Sequence, residues 1–101
     1  MMFEKFMVVG ICQLNLSIPG AHSLKDKRQV LKSLMARVKG SFNASVAEVG
    51  QNDLWQSAVI GIAVVGNDRG FVNSTLDNII DFIEALRTVE IVSQEIEIIN
   101  Y

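Results

Sequence analysis

Lys25, Lys27, Arg28, Lys32, Arg37 and Lys39 place six of the chain's nine basic residues within fifteen consecutive positions. Cations at this density attract phosphate and carboxylate groups. At about 100° per residue, Lys25, Arg28, Lys32 and Lys39 fall within an arc of roughly 60° on a helix. They form a basic rail opposite the apolar stripe. Positive charge at a helix N-terminus opposes the macrodipole and is relieved by an anion, and free backbone N–H groups with the Ser23 hydroxyl nearby would help to hold one. The candidate anion-binding residues are therefore Ser23, Lys25, Lys27, Arg28, Lys32 and Lys39, with a nucleic-acid backbone as the natural polyanion. The alternative reading is an ordinary solvated helix face.

Lys27 differs from the others. The same wheel sets it about 200° from Lys25, among the apolar positions. An ammonium pointing at the sheet needs a carboxylate, and Glu48 and Asp53 are the candidates. The expected arrangement is a partly buried ion pair pinning helix to sheet; the alternative is a small active-site cluster of Lys27, Glu48 and Asp53, with His22 added. His22 is the only histidine and Cys12 the only cysteine. Neither has an identifiable catalytic or metal-binding partner, so Cys12 is expected to act as a small core hydrophobe and no catalytic residue, metal or cofactor is assigned. Trp55 is expected to anchor a core or an interface.

The elements that position these residues follow from hydrophobic periodicity. Phe6 to Ile18 is strand-like, apolar on both parities up to Cys12, so its first half should be covered on both faces. Pro19-Gly20 is a turn, and Ser23 with Asp26 resembles a capping box opening helix one, which Gly40 should stop. Leu24, Leu31, Leu34, Met35 and Val38 give its inward stripe. Phe42 to Val49 alternates as a half-exposed strand, Gly50 to Asp53 is a turn, and Gln56 to Val65 is a buried strand ended by a loop over Gly66 to Gly70. Ser74 with Asp77 repeats the capping pattern, predicting helix two there, with Leu76, Ile79, Ile80, Ile83 and Leu86 inward. Val89 to Ile99 is a last strand.

Strand, helix, strand, strand, helix, strand is the α+β, ferredoxin-like split βαβ arrangement: a four-stranded antiparallel sheet with two helices on one face. Strands one and three should be central and two and four should be edges. The uncovered face should show an apolar centre in a polar rim, as protein interfaces do, which predicts a homo-oligomer, a dimer through the open sheet face; the alternative is a modest exposed patch with no partner. Residues 1–101 read as one domain, able to fold without disulfides or a structural metal.

The charge is split. Residues 1–39 carry seven Lys/Arg against Glu4 and Asp26, and residues 40–101 carry Arg69 and Arg87 against nine Asp/Glu. The start, Met1-Met2-Phe3-Glu4-Lys5, has no long apolar run with a cleavage site, no stretch reaches a membrane span, and one cysteine suits a reducing compartment. A cytoplasmic location without membrane insertion is expected. Strand three lacks the aromatics of an RNA-recognition motif, the C-x-x-C of a heavy-metal-binding domain is missing, the loop after strand one lacks an acylphosphatase arginine, and no Gly-rich phosphate fingerprint occurs.

At Ser23-Leu24-Lys25-Asp26-Lys27-Arg28, then Asn43-Ala44-Ser45-Val46-Ala47-Glu48, Asp53 and Gln56, the chain resembles the YlxP-like family of small bacterial proteins of unassigned function over essentially its whole length. The resemblance implies a ferredoxin-like fold and, in many bacteria, a gene beside translation-initiation and ribosome-maturation factors; it implies no established activity. If that family acts on RNA or ribosomes, the matching residues here are Lys25, Lys27 and Arg28, with Glu48 and Asp53. The expected function is thus a non-enzymatic accessory protein of translation or ribosome maturation that touches RNA through helix one. The alternatives are an oligomeric module resembling the small-ligand-binding ACT domains, and an enzyme built on Lys27, Glu48, Asp53 and His22.

Overall fold

In a computed structural model that describes residues 6–101, the chain runs β1 (Val8–Ser17), α1 (Leu24–Ser41), β2 (Ser45–Gly50), β3 (Ser57–Gly66), α2 (Arg69–Leu86) and β4 (Glu90–Asn100). The strands form one sheet in the order β2-β3-β1-β4, with every neighbouring pair antiparallel. This is the ferredoxin-like α+β arrangement, with β1 and β3 central and β2 and β4 at the edges.

Period-two alternation sorts the sheet into a covered and an open face. On β1, Val8, Cys12, Leu14 and Leu16 are buried; on β3, Ala58, Ile60, Ile62 and Val64 are buried. These meet Leu31, Leu34 and Val38 of α1 and Val72, Leu76, Ile79 and Ile83 of α2 in one core. The first half of β1 is not covered on both faces as expected. Ile11 is 39% exposed, and Val65, the β3 partner of Val9, is 57% exposed. Both helices lie on one side, so an apolar run on both parities here marks one face packed by helices and one left open.

Close contact with α2 requires a glycine at position 10. A Cβ there would lie 2.5 Å from Val72 Cγ1 and 2.9 Å from Leu76 Cδ1, inside van der Waals contact. Gly66, which pairs with Val8, is crowded by the same side chain: a Cβ there would lie 2.8 Å from Val72 Cγ2. The helix therefore seats directly on the backbone of the two central strands.

Two helix boundaries differ from the sequence reading. α2 begins at Arg69 rather than at the Ser74/Asp77 pair, because Asp68 is the cap: its carboxylate accepts the Phe71 N–H at 2.8 Å. Starting there brings Val72 into the buried stripe, and Ser74 and Asp77 become exposed positions within the helix. The two halves therefore do not share a Ser-x-x-Asp cap. α1 continues through Gly40 to Ser41 and closes with the Phe42 N–H donating to the Val38 carbonyl at 2.9 Å. Gly40 stays helical because no left-handed cap is needed. The half-buried Phe42 ring instead meets Phe82 edge to face, with centroids 5.5 Å apart, and holds the end of α1 against α2. α2 ends in the left-handed conformation that α1 avoids, at Arg87 with φ 58°.

Candidate functional site

Ser23 opens α1 as expected: its hydroxyl accepts the Asp26 N–H at 3.1 Å. The return contact lands one residue earlier than in a capping box, since the Asp26 carboxylate accepts the N–H of His22 at 3.0 Å. A carboxylate already stands at the positive end of the helix, so that end is partly neutralised. The helix N-terminus is thus a poorer anion cradle than the sequence suggested, and the cationic side chains must carry any polyanion binding. His22 is exposed and enters this network only through its backbone.

Lys25, Arg28, Lys32 and Lys39 are all exposed, and so is Arg37. None of them forms an ion pair among the described residues, and Asp26 is the one acid on the helix. From Lys25 to Lys39 the rail runs about 21 Å along the axis. Beside it, α2 turns Asp77, Asp81 and Glu84 to solvent. The helical side of the molecule is therefore a basic cylinder next to an acidic one, with the positive potential concentrated on α1.

Lys27 leaves the anion-binding set. It is 1% exposed, the most deeply enclosed charged residue among those described. Its Nζ lies 2.9 Å from Glu48 Oε2 and donates to the carbonyls of Gln51 at 2.6 Å and Leu54 at 2.5 Å. Glu48 Oε2 meets the ammonium at ion-pair distance but outside hydrogen-bonding angles, and has no other partner among the described residues. The expected pin between helix and sheet is present, with Glu48 as its carboxylate. Asp53 is not part of it: that residue is exposed in the β2–β3 connection, where the carbonyls on either side do the coordinating. Two of the ammonium's three donors are taken by the carbonyls, and the Glu48 carboxylate supplies the compensating charge.

The two carbonyls carry no signature in the sequence. Gln51 adopts φ 58°, and its carbonyl also accepts the Leu54 N–H at 3.1 Å, so a tight turn aims two backbone oxygens at one point. Gln56, quoted above only as part of a motif, closes the other side of this corner. Its side-chain amide donates to the Ala21 carbonyl at 3.2 Å, and its own carbonyl accepts the Ile18 N–H at 2.9 Å. Lys27 and Gln56 together fasten the β1–α1 connection and α1 to the β2–β3 connection. Trp55, 46% exposed in that connection, is not a core residue.

His22, Lys27, Glu48 and Asp53 do not converge on an open pocket. A groove of about 680 Å³ lies across the open face of the sheet and is lined by other residues, among them Ile11, Val49, Gly61, Ala63, Glu95 and Glu97. Cys12 backs onto it from the core side, where burial pushes its thiol up from 9.0 to about 11, as expected of a core residue rather than a nucleophile. Among the described residues no group of three or more His, Cys, Asp or Glu could hold a metal ion, and no helix is long and apolar enough to cross a membrane.

Comparison with known proteins bears on the fold and the family. Two solved structures share the fold at low sequence identity: the de novo designed protein Foldit4 (14% identity, TM-score 0.52, covering 94% of this chain and 98% of that one), and SnoaB, a cofactor-independent oxygenase from Streptomyces nogalater (17% identity, TM-score 0.52, 94% and 92%). The uncharacterized protein YlxP of Bacillus subtilis (strain 168) is 36% identical over 83 residues, which is 82% of this chain and 90% of that protein. The model of a family described as a protein of unknown function, DUF503, matches residues 9–96. The chain therefore belongs to this family, DUF503.

Proposed function

We propose that this protein is a non-enzymatic accessory factor that binds RNA phosphates along the outer face of α1, in translation or ribosome maturation as the YlxP-like gene setting suggests. The observation that carries the reading is the basic rail. Lys25, Arg28, Lys32 and Lys39 are exposed on one side of one helix and have no carboxylate partner among the described residues. Flexible cations spaced along a cylinder contact backbone phosphates and leave base identity unread. Stacking plays no part in this reading: the aromatic-free centre of β3 offers no platform for bases.

Lys25→Glu/Arg28→Glu tests it in a filter-binding titration with a ribosomal RNA fragment. Both positions lie in the first turns of α1, where an acidic residue suits the macrodipole, so the substitutions leave the helix intact. Binding should weaken by about ten-fold or more near 0.1 M salt; unchanged affinity ends the proposal. A thermal-shift screen of amino acids and nucleotides bears on the ACT-like alternative, which a saturable small-molecule hit without RNA binding would favour.

A further inference from the structure

The open face of the sheet has a pattern that fits a second copy of the same chain in one orientation. Two cross-strand rows occupy its centre. The first reads Ser45, Ala63, Ile11, Glu97 from β2 to β4, and the second Ala47, Gly61, Gln13, Glu95. Each row begins small on β2, is small on β3, turns large on β1 and ends in a carboxylate on β4. The groove lies over the small residues, with Ile11 as the ridge beside it.

Of the in-plane two-fold axes that can relate two facing sheets, those that keep the strands aligned run along the strands or across them. With the axis along the strands, each row meets its own copy reversed: Ile11 stands over Ala63 of the second copy, and Glu97 and Glu95 stand over Ser45 and Ala47. Ridge then fills trough, and no carboxylate faces another. With the axis across the strands, β4 lies over β4 and β1 over β1. Glu97 then meets Glu95, Ile11 meets Gln13, and Ala63 meets Gly61, so that like charges oppose and small residues face small ones. Of the two aligned arrangements, the first is the one complementary in charge and shape over these rows, and in the row beyond them it sets Val9 over Val65 of the second copy, an apolar contact.

The area is sufficient. Four strands at about 4.8 Å and ten residues at about 3.3 Å give a footprint of roughly 500–600 Å² per copy, and side-chain relief raises the total to about the 1,200 Å² at which specific interfaces begin. We infer that the protein forms a symmetric dimer through the open sheet face with its two-fold axis along the strands, β1 of one copy over β3 of the other. The two α1 helices then lie on opposite outer sides of the dimer, clear of the interface. The inference stands apart from the RNA reading, since it uses none of the α1 cations.

Sedimentation equilibrium of the intact chain and two variants tests it. The native chain should dimerise at micromolar to tens-of-micromolar concentration. Ala63→Glu, which puts a charge at the centre of the face, should weaken association at least about a hundred-fold while the circular-dichroism spectrum stays native. Ser45→Lys discriminates the axis: facing Glu97 of the second copy, it should tighten the dimer about three- to ten-fold, an effect lost on raising the salt. A native chain monomeric at 0.5 mM (about ten times the highest dissociation constant expected for a small apolar interface) overturns the inference. So does a dimer that Ala63→Glu leaves intact, or one that Ser45→Lys weakens.

Discussion

Replacing Lys27 by methionine removes one charge while nearly preserving volume, which isolates the electrostatics of the pin from cavity formation. Truncating one partner of a buried ion pair costs about 3–5 kcal/mol, most of it from the charge left behind. Here two features lower that figure. The Glu48 side chain is 20% exposed and can recover part of its hydration, and the Gln51 and Leu54 carbonyls lie in an exposed connection that can turn toward water. The expected loss is about 2–4 kcal/mol, or roughly 10–25 °C in Tm for a domain of this size. Lys27→Met/Glu48→Gln removes the stranded charge as well and should recover about 1–2 kcal/mol relative to the single variant. Urea unfolding of the four proteins in the cycle, followed by far-ultraviolet circular dichroism, gives the numbers. A Lys27→Met variant within about 0.5 kcal/mol of the parent, or a double variant no more stable than the single one, would refute the reasoning.

Three further outcomes follow from the packing. Gly10→Ala should destabilise by about 1–3 kcal/mol, because its Cβ meets Val72 and Leu76, whereas Gly40→Ala, with nothing within 4 Å on a helical backbone, should stabilise by about 0.5–1 kcal/mol; chemical denaturation compares the two. Asp68→Ala removes the α2 cap and should cost about 1 kcal/mol, read as a lower Tm, while Ser74→Ala, at the site the sequence pattern favoured, should change little. Cys12 titrates near 11 in the folded chain against 9.0 ordinarily. The unfolded chain therefore loses this proton first, and stability falls as pH rises from about 9 to about 11; Cys12→Ala should flatten that part of the pH–stability curve, and the native thiol should resist alkylation at pH 8.

The fold was legible because its signals are local and repeated. Alternation along β1 and β3, the apolar stripes of both helices and the turn at Pro19-Gly20 each restate the same strand order. Helix ends were less legible, because a cap depends on which of several Asp or Ser residues the buried stripe selects; Val72 made Asp68 the cap of α2, and Phe42 packing on Phe82 carried α1 past Gly40. At the site, the wheel correctly turned Lys27 inward and Glu48 toward it, since both follow from periodicity. Asp53 was misassigned because a carboxylate near in sequence looks like a partner, whereas the donors of Lys27 are satisfied by backbone carbonyls that any residue provides. Gln56 could have been found as a polar residue at the head of a buried strand that must be satisfied locally.

The central claim is that the exposed cations of α1 neutralise RNA phosphates, and the salt dependence of binding tests it most directly. If four contacts form with single-stranded RNA, the logarithm of the binding constant should fall against the logarithm of salt concentration with a slope of about −2.8, and the slope should shrink to about −1.4 or less in Lys25→Glu/Arg28→Glu. A slope near zero, or one that the double variant leaves unchanged, would contradict the account.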